Sequence, residues 1–599
     1  MALNDGKRAA LRSALCDPFL MDRPIDELRK LAKRLPKADA GDLPSARTVR
    51  IAVTGGYLTD YLCEVLPLFL RHRGLDATLF AAPYGTLFAQ SLDPDSDLHR
   101  FGPDLAILLP YETDLQSRPE PAMNGNQVDE VVNDEVARWA SLWDRISVPT
   151  VMATFPVPAM RPMGEADGLL PGGTLHFIRR LNAALSDAAP GLVSFVDMEA
   201  VSSELGRALS RDDRLYRLAK QPFSMDAIPA IANRVAAAAA ARLGTARKAL
   251  ILDLDNTLWG GVIGDQGLAG IELGPETPNG ESFVAFQTYI KALAQRGIVL
   301  GVCSKNLEST ALEPFVSHDA MVLQQQDIAC FVANFENKAD NIRTIAQTLN
   351  LGLDAFVFVD DSPVECALLR RELPQVWTIE LSGDPAEFPW TLDRAIPFPI
   401  SRITAEDRTR ADSYRAMATI RQAETGASDM EGFLKSLAPV AVDEGVRPDT
   451  IARITQLIAK TNQFKLNPDT FSEAEITDRK DHVIALRLKD SIQDHGIVAV
   501  AVTEPEDDAL RIRNWVMSCR VFSRRLEYLT RAMFRDAAKA AGKDRLRLTY
   551  VPSGRNGLIE DLLPKLGFTR SDNQNEFESM ADMPDTTPDH YMTLEKAER

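Results

Sequence analysis

The sequence predicts an α/β protein of three domains, two built on mainly parallel sheets and a third of α+β type. Three observations carry this. The chain has 599 residues, which at roughly 100–200 residues per domain gives about three. Up to about residue 381, short apolar runs alternate with amphipathic stretches, the pattern of β/α repeats. From about residue 404 the later runs alternate residue by residue, as in antiparallel strands with one wet face.

The first domain, expected over residues 1–246, has strands at Arg50–Thr54, Leu105–Leu109, Thr150–Phe155 and Leu192–Val196. Helices are expected at Asp60–Arg73 and Asp129–Ile146, and the Ala236–Ala241 tract is a strong helix former. The second, 247–400, has strands at Ala249–Leu254, Ile298–Cys303, Met321–Leu323, Ala355–Val359 and Val376–Glu380. Pro389, Pro397 and Pro399 mark Phe388–Ile403 as a linker. The third, 401–599, opens with a polar helical stretch. Strands follow at His482–Leu488, Ile497–Val502 and Leu510–Met517, then a helix at Arg525–Ala541, a strand at Arg545–Tyr550 and a short helix at Leu558–Leu566.

Composition excludes several functions. The 67 basic and 85 acidic residues leave a net charge of −18, unsuited to general nucleic-acid or anionic-membrane binding. Six cysteines without a CxxC pair argue against a disulfide framework or a Cys-type zinc site. Seven scattered histidines form no HExxH. No apolar run approaches a membrane span, and charges interrupt the N-terminus where a signal peptide would be continuous. A cytoplasmic protein is expected.

The chemistry gathers at strand ends. In Leu252-Asp253-Leu254-Asp255-Asn256-Thr257-Leu258, two carboxylates end an apolar strand. The carboxyl edge of a parallel sheet is where ligands bind. Two anions so close need a cation, and Mg2+ suits carboxylate, carbonyl and water oxygens. Three further segments fit the same site. Ser304 ends a second strand, Lys338 precedes a helix, and Asp360-Asp361 end another strand. Alone, each has an ordinary structural reading: a turn, a surface lysine, a helix cap. Their conjunction in this order, each at a strand end or helix start, favours one shared site over four separate structural roles.

These four segments resemble the motifs of the haloacid dehalogenase (HAD) superfamily. The resemblance implies that Asp253 is the nucleophile and Asp255 the general acid/base. It implies that Ser304 and Lys338 hold the phosphoryl oxygens, and that Asp253, the Asp255 carbonyl, Asp361 and Asp360 bind Mg2+. Between Asp255 and Ser304 there is room for a hairpin (Trp259–Leu273) and one helix. Between Ser304 and Lys338 there is no room for a folded cap, so a phosphate on a large or tethered group can enter.

The blocks Leu254–Asp265, Phe335–Asn341 and Phe358–Pro363 are more narrowly similar to the FkbH-like branch, HAD subfamily IIIC. That likeness implies loading of a glyceryl unit from 1,3-bisphosphoglycerate, a phosphorylated small-molecule donor, onto the phosphopantetheine arm of an acyl carrier protein for polyketide assembly. A phosphatase on a sugar- or glycan-linked phosphate in polysaccharide biosynthesis is the alternative.

In the third domain, Lys460–Phe464 and Met517–Val521 are family blocks, and the region resembles the GNAT acyltransferase fold. That resemblance places Arg520, Arg524 and Arg525 at a pyrophosphate loop and Asn556 near the pantetheine arm. The loop departs from the pattern in lacking glycines. Cys519 is either an acyl-thioester carrier or a buried strand cysteine, and residue type favours the second. Cys16, Cys63, Cys303, Cys330 and Cys366 are expected to pack. His495, beside Gly496, is expected in a turn. The first domain resembles an SGNH hydrolase, but Gly55-Gly56-Tyr57-Leu58-Thr59-Asp60 holds no serine and no DxxH appears near Lys220–Ser224. A docking or substrate-shaping module is expected there, with Thr59 the remaining nucleophile candidate.

Overall fold

The computed structural model describes all residues except 1–3, 39–42, 159, 404–413, 415–434, 436, 462–463, 492–493, 519–520, 522–523, 554–555, 572–574, 582–588 and 598–599. The chain divides into two compact units, residues 1–246 with 398–402, and 247–397 with 403–599.

The first unit holds a parallel sheet of β1 (Arg47–Gly55), β2 (Leu75–Ala81), β3 (Leu105–Leu109), β4 (Thr150–Ala153) and β5 (Val193–Val196) in the order β2-β1-β3-β4-β5. β3 reads as an unbroken apolar run because both its faces are covered. Leu105, Ile107 and Leu109 pack into one cluster with helices Asp60–His72 and Ile228–Leu243, while Ala106 and Leu108 pack into another with Trp139, Phe155 and Phe177. Expected helices appear at Asp60–His72 and Gly125–Arg145. The Ala-rich tract lies in a helix that starts with Pro229 in its first turn and ends at Gly244, φ +77°. β2 lacks an apolar-run signature because it is a half-exposed edge strand containing Asp76 and Thr78.

The second unit contains two sheets. One is fully parallel, with β6 (Ala249–Leu252), β7 (Val299–Ser304), β8 (Ile328–Ala333), β9 (Phe356–Asp360) and β10 (Trp377–Glu380) in the order β10-β9-β6-β7-β8. The strand expected at Met321–Leu323 is instead β8. The backbone N–H groups of Val322 and Leu323 donate to the Gln287 Oε1 atom rather than to a neighbouring strand, and a capped turn at Gln325–Asp327 follows. The expected linker begins as a helix, Phe388–Arg394, because Pro389 sits in its first turn where the missing N–H costs nothing.

The other sheet has β11 (Val440–Asp443), β12 (Val483–Lys489), β13 (Asp494–Pro505), β14 (Ala509–Met517), β15 (Arg545–Thr549), β16 (Thr569–Arg570), β17 (Glu576–Met580) and β18 (Thr593–Lys596). Their order is β16-β17-β15-β14-β13-β12-β11-β18, antiparallel except for the β14–β15 and β11–β18 pairs. The expected wet face is not present on β12 and β13. Leu486, Val498 and Ala501 join one core with helix Leu526–Ala540, while Ala485, Val500 and Val502 join a second with helix Ile451–Lys460. The polar helical stretch expected after Thr404 falls mostly outside the described residues.

Candidate active site

The site forms at the carboxyl edge of the parallel sheet of the second unit. Strands β6 and β9 are neighbours there, so the segments after them bring Asp253 beside Asp360 and Asp361. Carboxylate oxygens from these three residues lie within 4.8 Å of one another. Lys338, the first residue of helix Lys338–Leu349, enters from the β8 side and is buried. Its Nζ stands 2.7 Å from Asp360 Oδ2 and 2.9 Å from Asp253 Oδ1.

Electrostatics follow from burial. Burial pushes Asp253 up to about 6; Lys338 opposes the rise and Asp360 adds to it. Burial likewise raises Asp360 despite Lys338, and raises Asp361 with help from Asp253. For Lys338, burial disfavours its charge, but Asp253 and Asp360 outweigh burial and hold it protonated. One cation thus faces three crowded acids.

Asp255 occupies a different place. Its Oδ1 accepts from Trp259 Nε1 and the Ile263 N–H, both at 3.0 Å, and its Oδ2 accepts from Asn306 Nδ2 at 2.8 Å. Asn306 Nδ2 also lies 3.5 Å from Ser304 Oγ, which is buried at the end of β7. Asn256, directly after Asp255, turns the chain with φ +53°, a conformation asparagine tolerates. Its Oδ1 accepts the Gly261 N–H at 2.9 Å, tying the hairpin to the strand end.

The structure therefore assembles Asp253, Ser304, Lys338, Asp360 and Asp361, with Asp255 oriented alongside. Sequence reasoning did not single out Asn306 and Trp259. In the sequence Asn306 is only the residue two past Ser304, and Trp259 is only the first residue of the expected hairpin.

The residues expected to serve the third domain stand differently. Cys519 and Arg520 lie outside the described residues. Arg524 is buried and ion-paired with Asp490, which also meets His495 Nε2 at 2.8 Å. His495 is not in a turn but inside β13, its side chain fully enclosed. Arg525 precedes helix Leu526–Ala540 at φ +65° and donates from Nη1 to the Asp589 carbonyl at 2.8 Å. Asn556 is buried as a loop clamp, donating from Nδ2 to the carbonyls of Lys465 and Val551 and accepting the Ser553 N–H. Cys303, Cys330 and Cys366 are buried, whereas Cys16 and Cys63 are half-buried.

In the first unit, the position after β1 is closed to a nucleophile's side chain. A Cβ on Gly56 would lie 1.8 Å from Asp114 Oδ2. Tyr57 packs edge-on against Tyr111 and Phe223. Asp114 accepts the Tyr111 N–H at 2.9 Å, and burial pushes it up to about 6. Thr59 is buried directly before helix Asp60–His72.

Among families of known proteins, the model described as "FkbH, N-terminal domain" matches residues 50–238. The N-terminal part of the protein BF1531 from Bacteroides fragilis, containing a phosphatase domain and crystallised with Mg, is 32% identical, with a TM-score of 0.58. The match covers 63% of this chain and all of that one. The chain belongs to the FkbH-like family. This FkbH-like chain sets Asp253, Asp360 and Asp361 at the carboxyl edge of a parallel sheet. Two acetyltransferases match more weakly. The ribosomal-protein-S18-alanine N-acetyltransferase from Escherichia coli is 13% identical over 24% of this chain and 96% of its own, with a TM-score of 0.19. A GNAT-family acetyltransferase from Listeria monocytogenes is also 13% identical, over 24% of this chain and 94% of its own, with a TM-score of 0.19. No curated protein matches the chain. No helix among the described residues is long and apolar enough to cross a membrane.

Magnesium fits the residues present. The donor set is all oxygen, the chemistry of a hard cation. Asp253 Oδ1 is buried and accepts no well-aligned hydrogen bond, although Lys338 Nζ is close by as a charge. Asp360 already accepts from Lys338 and from the Ser362 N–H, which leaves Asp253 and Asp361 as the freer ligands.

Proposed function

We propose that this FkbH-like chain is a Mg2+-dependent HAD-type phosphatase that acts in acyl transfer, converting a phosphoglyceryl unit derived from 1,3-bisphosphoglycerate into a glyceryl unit on an acyl carrier protein. The gathering of Asp253, Asp360 and Asp361 around Lys338 carries the phosphatase part. The glyceryl donor and the carrier rest on the family resemblance, as does the arrangement as three modules, with a docking module first and an acyltransferase module last.

In this reading Asp253 attacks phosphorus, and the bond to the leaving oxygen breaks as Asp255 supplies that oxygen a proton. A water, giving its proton back to Asp255, then attacks the aspartyl-phosphate and restores Asp253. Trp259, the Ile263 N–H and Asn306 hold the Asp255 carboxyl in one orientation throughout. Lys338 and Ser304 meet the phosphoryl oxygens, and Lys338 lets the anionic substrate approach an anionic nucleophile. Bound Mg2+ supplies charge neutralisation of the phosphoryl oxygens.

The test is to incubate the full chain with 1,3-bisphosphoglycerate, Mg2+ and pantetheinylated carrier protein, and weigh the carrier. A glyceryl adduct is expected. Asp253→Asn should leave a phosphoglyceryl species instead. Absence of any adduct removes the donor and carrier, and rapid phosphate release from free sugar phosphates favours the glycan alternative.

A further inference from the structure

One ion pair beside the site takes no part in the phosphoryl chemistry. Lys305 directly follows Ser304, and its Nζ donates to Glu365 Oε1 at 2.6 Å. Lys305 belongs to the segment after β7, and Glu365 to the first turn of helix Pro363–Glu372, which follows β9. In the sheet, β6 lies between β7 and β9, so these two segments flank the one that carries Asp253 and Asp255. Neighbouring strands are about 4.8 Å apart, which sets the ends of β7 and β9 roughly 10 Å apart. Two long side chains reaching toward each other close that gap. The pair is also near the acid cluster, because Lys338, Asp253, Asp360 and Glu365 all act on the buried Cys303 thiol.

Glu365 is turned to this pair rather than to its own helix. Ser362-Pro363-Val364-Glu365 has the spacing of a capping box, in which the glutamate accepts the N–H of the serine. Half of the box forms, with Ser362 Oγ accepting the Glu365 N–H at 3.4 Å. The other half does not, since the Ser362 N–H donates to Asp360 Oδ1 at 2.8 Å. Glu365 Oε2 is buried and accepts no hydrogen bond. Enclosing a carboxylate with one oxygen unbonded is costly, and the helix cap does not require it. Lys305, by contrast, keeps 42% of its side chain exposed. In residues 260–266, 305–308, 334–338 and 361–365 it is the one exposed cation; Lys338 is enclosed.

We propose that Lys305 is a specificity-determining residue, donating a hydrogen bond to the hydroxyl oxygen on the carbon next to the phosphate-bearing one, and that Glu365 is the residue that positions it. The inference deepens the phosphatase reading and rests on it. With its phosphoryl group between Asp253 and Lys338, a phosphoglyceryl unit leaves the site past the segments that flank Asp253, and its uncharged hydroxyl is the first polar group to follow. A lysine whose charge is already matched by a carboxylate suits an uncharged oxygen acceptor, and one held in place loses little freedom on binding it.

The experiment measures phosphate release by the full chain with Mg2+ from glycerol 3-phosphate and from 3-hydroxypropyl phosphate, which differ only in that hydroxyl. Glycerol 3-phosphate should exceed its partner in kcat/KM by about tenfold or more. Lys305→Met should bring the ratio toward one, with most of the loss on glycerol 3-phosphate. Glu365→Gln should lower the ratio part-way, raising KM for glycerol 3-phosphate more than it lowers kcat. A wild-type ratio near one, a ratio unmoved by Lys305→Met, or an equal loss on both esters overturns the assignment while leaving the phosphatase intact. No phosphate from either ester overturns the phosphatase reading, and the role of Lys305 falls with it.

Discussion

The side-chain amide of Asn306 donates to Asp255 Oδ2 across 2.8 Å, and so ties the end of β7 to the acid that follows β6. The bond orients Asp255 without touching the three-carboxylate cluster. Asn306→Ala should lower kcat for phosphate release by roughly 10–100-fold, as loss of an orienting partner does elsewhere. Mg2+ affinity, measured by calorimetry, should not change. A matching loss of metal binding would show that Asn306 supports the cluster instead.

Lys338 offsets two buried acids at once, and its removal should be felt most when no metal is present. Lys338→Met should cost about 3–5 kcal/mol in EDTA, the usual result of stripping one partner from a buried ion pair. Mg2+ should recover part of that loss. Thermal melts of wild type and variant in EDTA and in Mg2+ compare the two; equal drops in both would mean that the lysine and the metal do not share the same charges.

Metal binding should depend on pH because the metal-free Asp253 is held up to about 6. Below that value the carboxyl carries a proton that a divalent cation must displace. Apparent Mg2+ affinity should rise by about tenfold per pH unit up to about 6 and flatten above it. Calorimetry in buffers of different ionisation enthalpy should detect the released proton. Constant affinity from pH 5 to 8 would contradict this.

Asp114 gives a stability prediction. Its folded value of about 6 lies above the unfolded 3.8, so the protonated form stabilises the fold at low pH and that contribution is lost as pH rises through about 6. Asn in its place stays neutral and keeps an acceptor for the Tyr111 N–H. The melting temperature of Asp114→Asn relative to wild type should therefore climb from pH 4 to pH 7, by an amount equivalent to about 3 kcal/mol at most. A difference that stays constant with pH would refute the assigned cause.

The legible part of the site was the part set by strand ends. Asp253, Ser304 and the Asp360-Asp361 pair each follow a short apolar strand, and β/α order alone puts those ends on one edge. Lys338 was legible through its place at a helix start. Asn306 was not, because its role depends on Asp255 across the sheet, and Trp259 was not, because a tryptophan's ring nitrogen bonding an acid four residues back leaves no pattern in the sequence. Misplacing β8 at Met321–Leu323 has a similar origin: a side chain, Gln287, satisfies backbone groups that an apolar run assigns to a strand. In the third region, β11 and β18 are four residues each and pair in parallel from far apart in the chain, which no short-range signal reports.

In the parallel sheet of the second unit, β6 sits between β7 and β9, yet β9 is made long after β6. A nascent chain leaving the ribosome therefore exposes its first acid pair well before the lysine and the second acid pair exist. Chains that stop before Asp361 lack the second acid pair and with it the full site. The distant pairing also makes closure of this sheet slow relative to local helices, so a product truncated before β9 should be silent rather than weakly active.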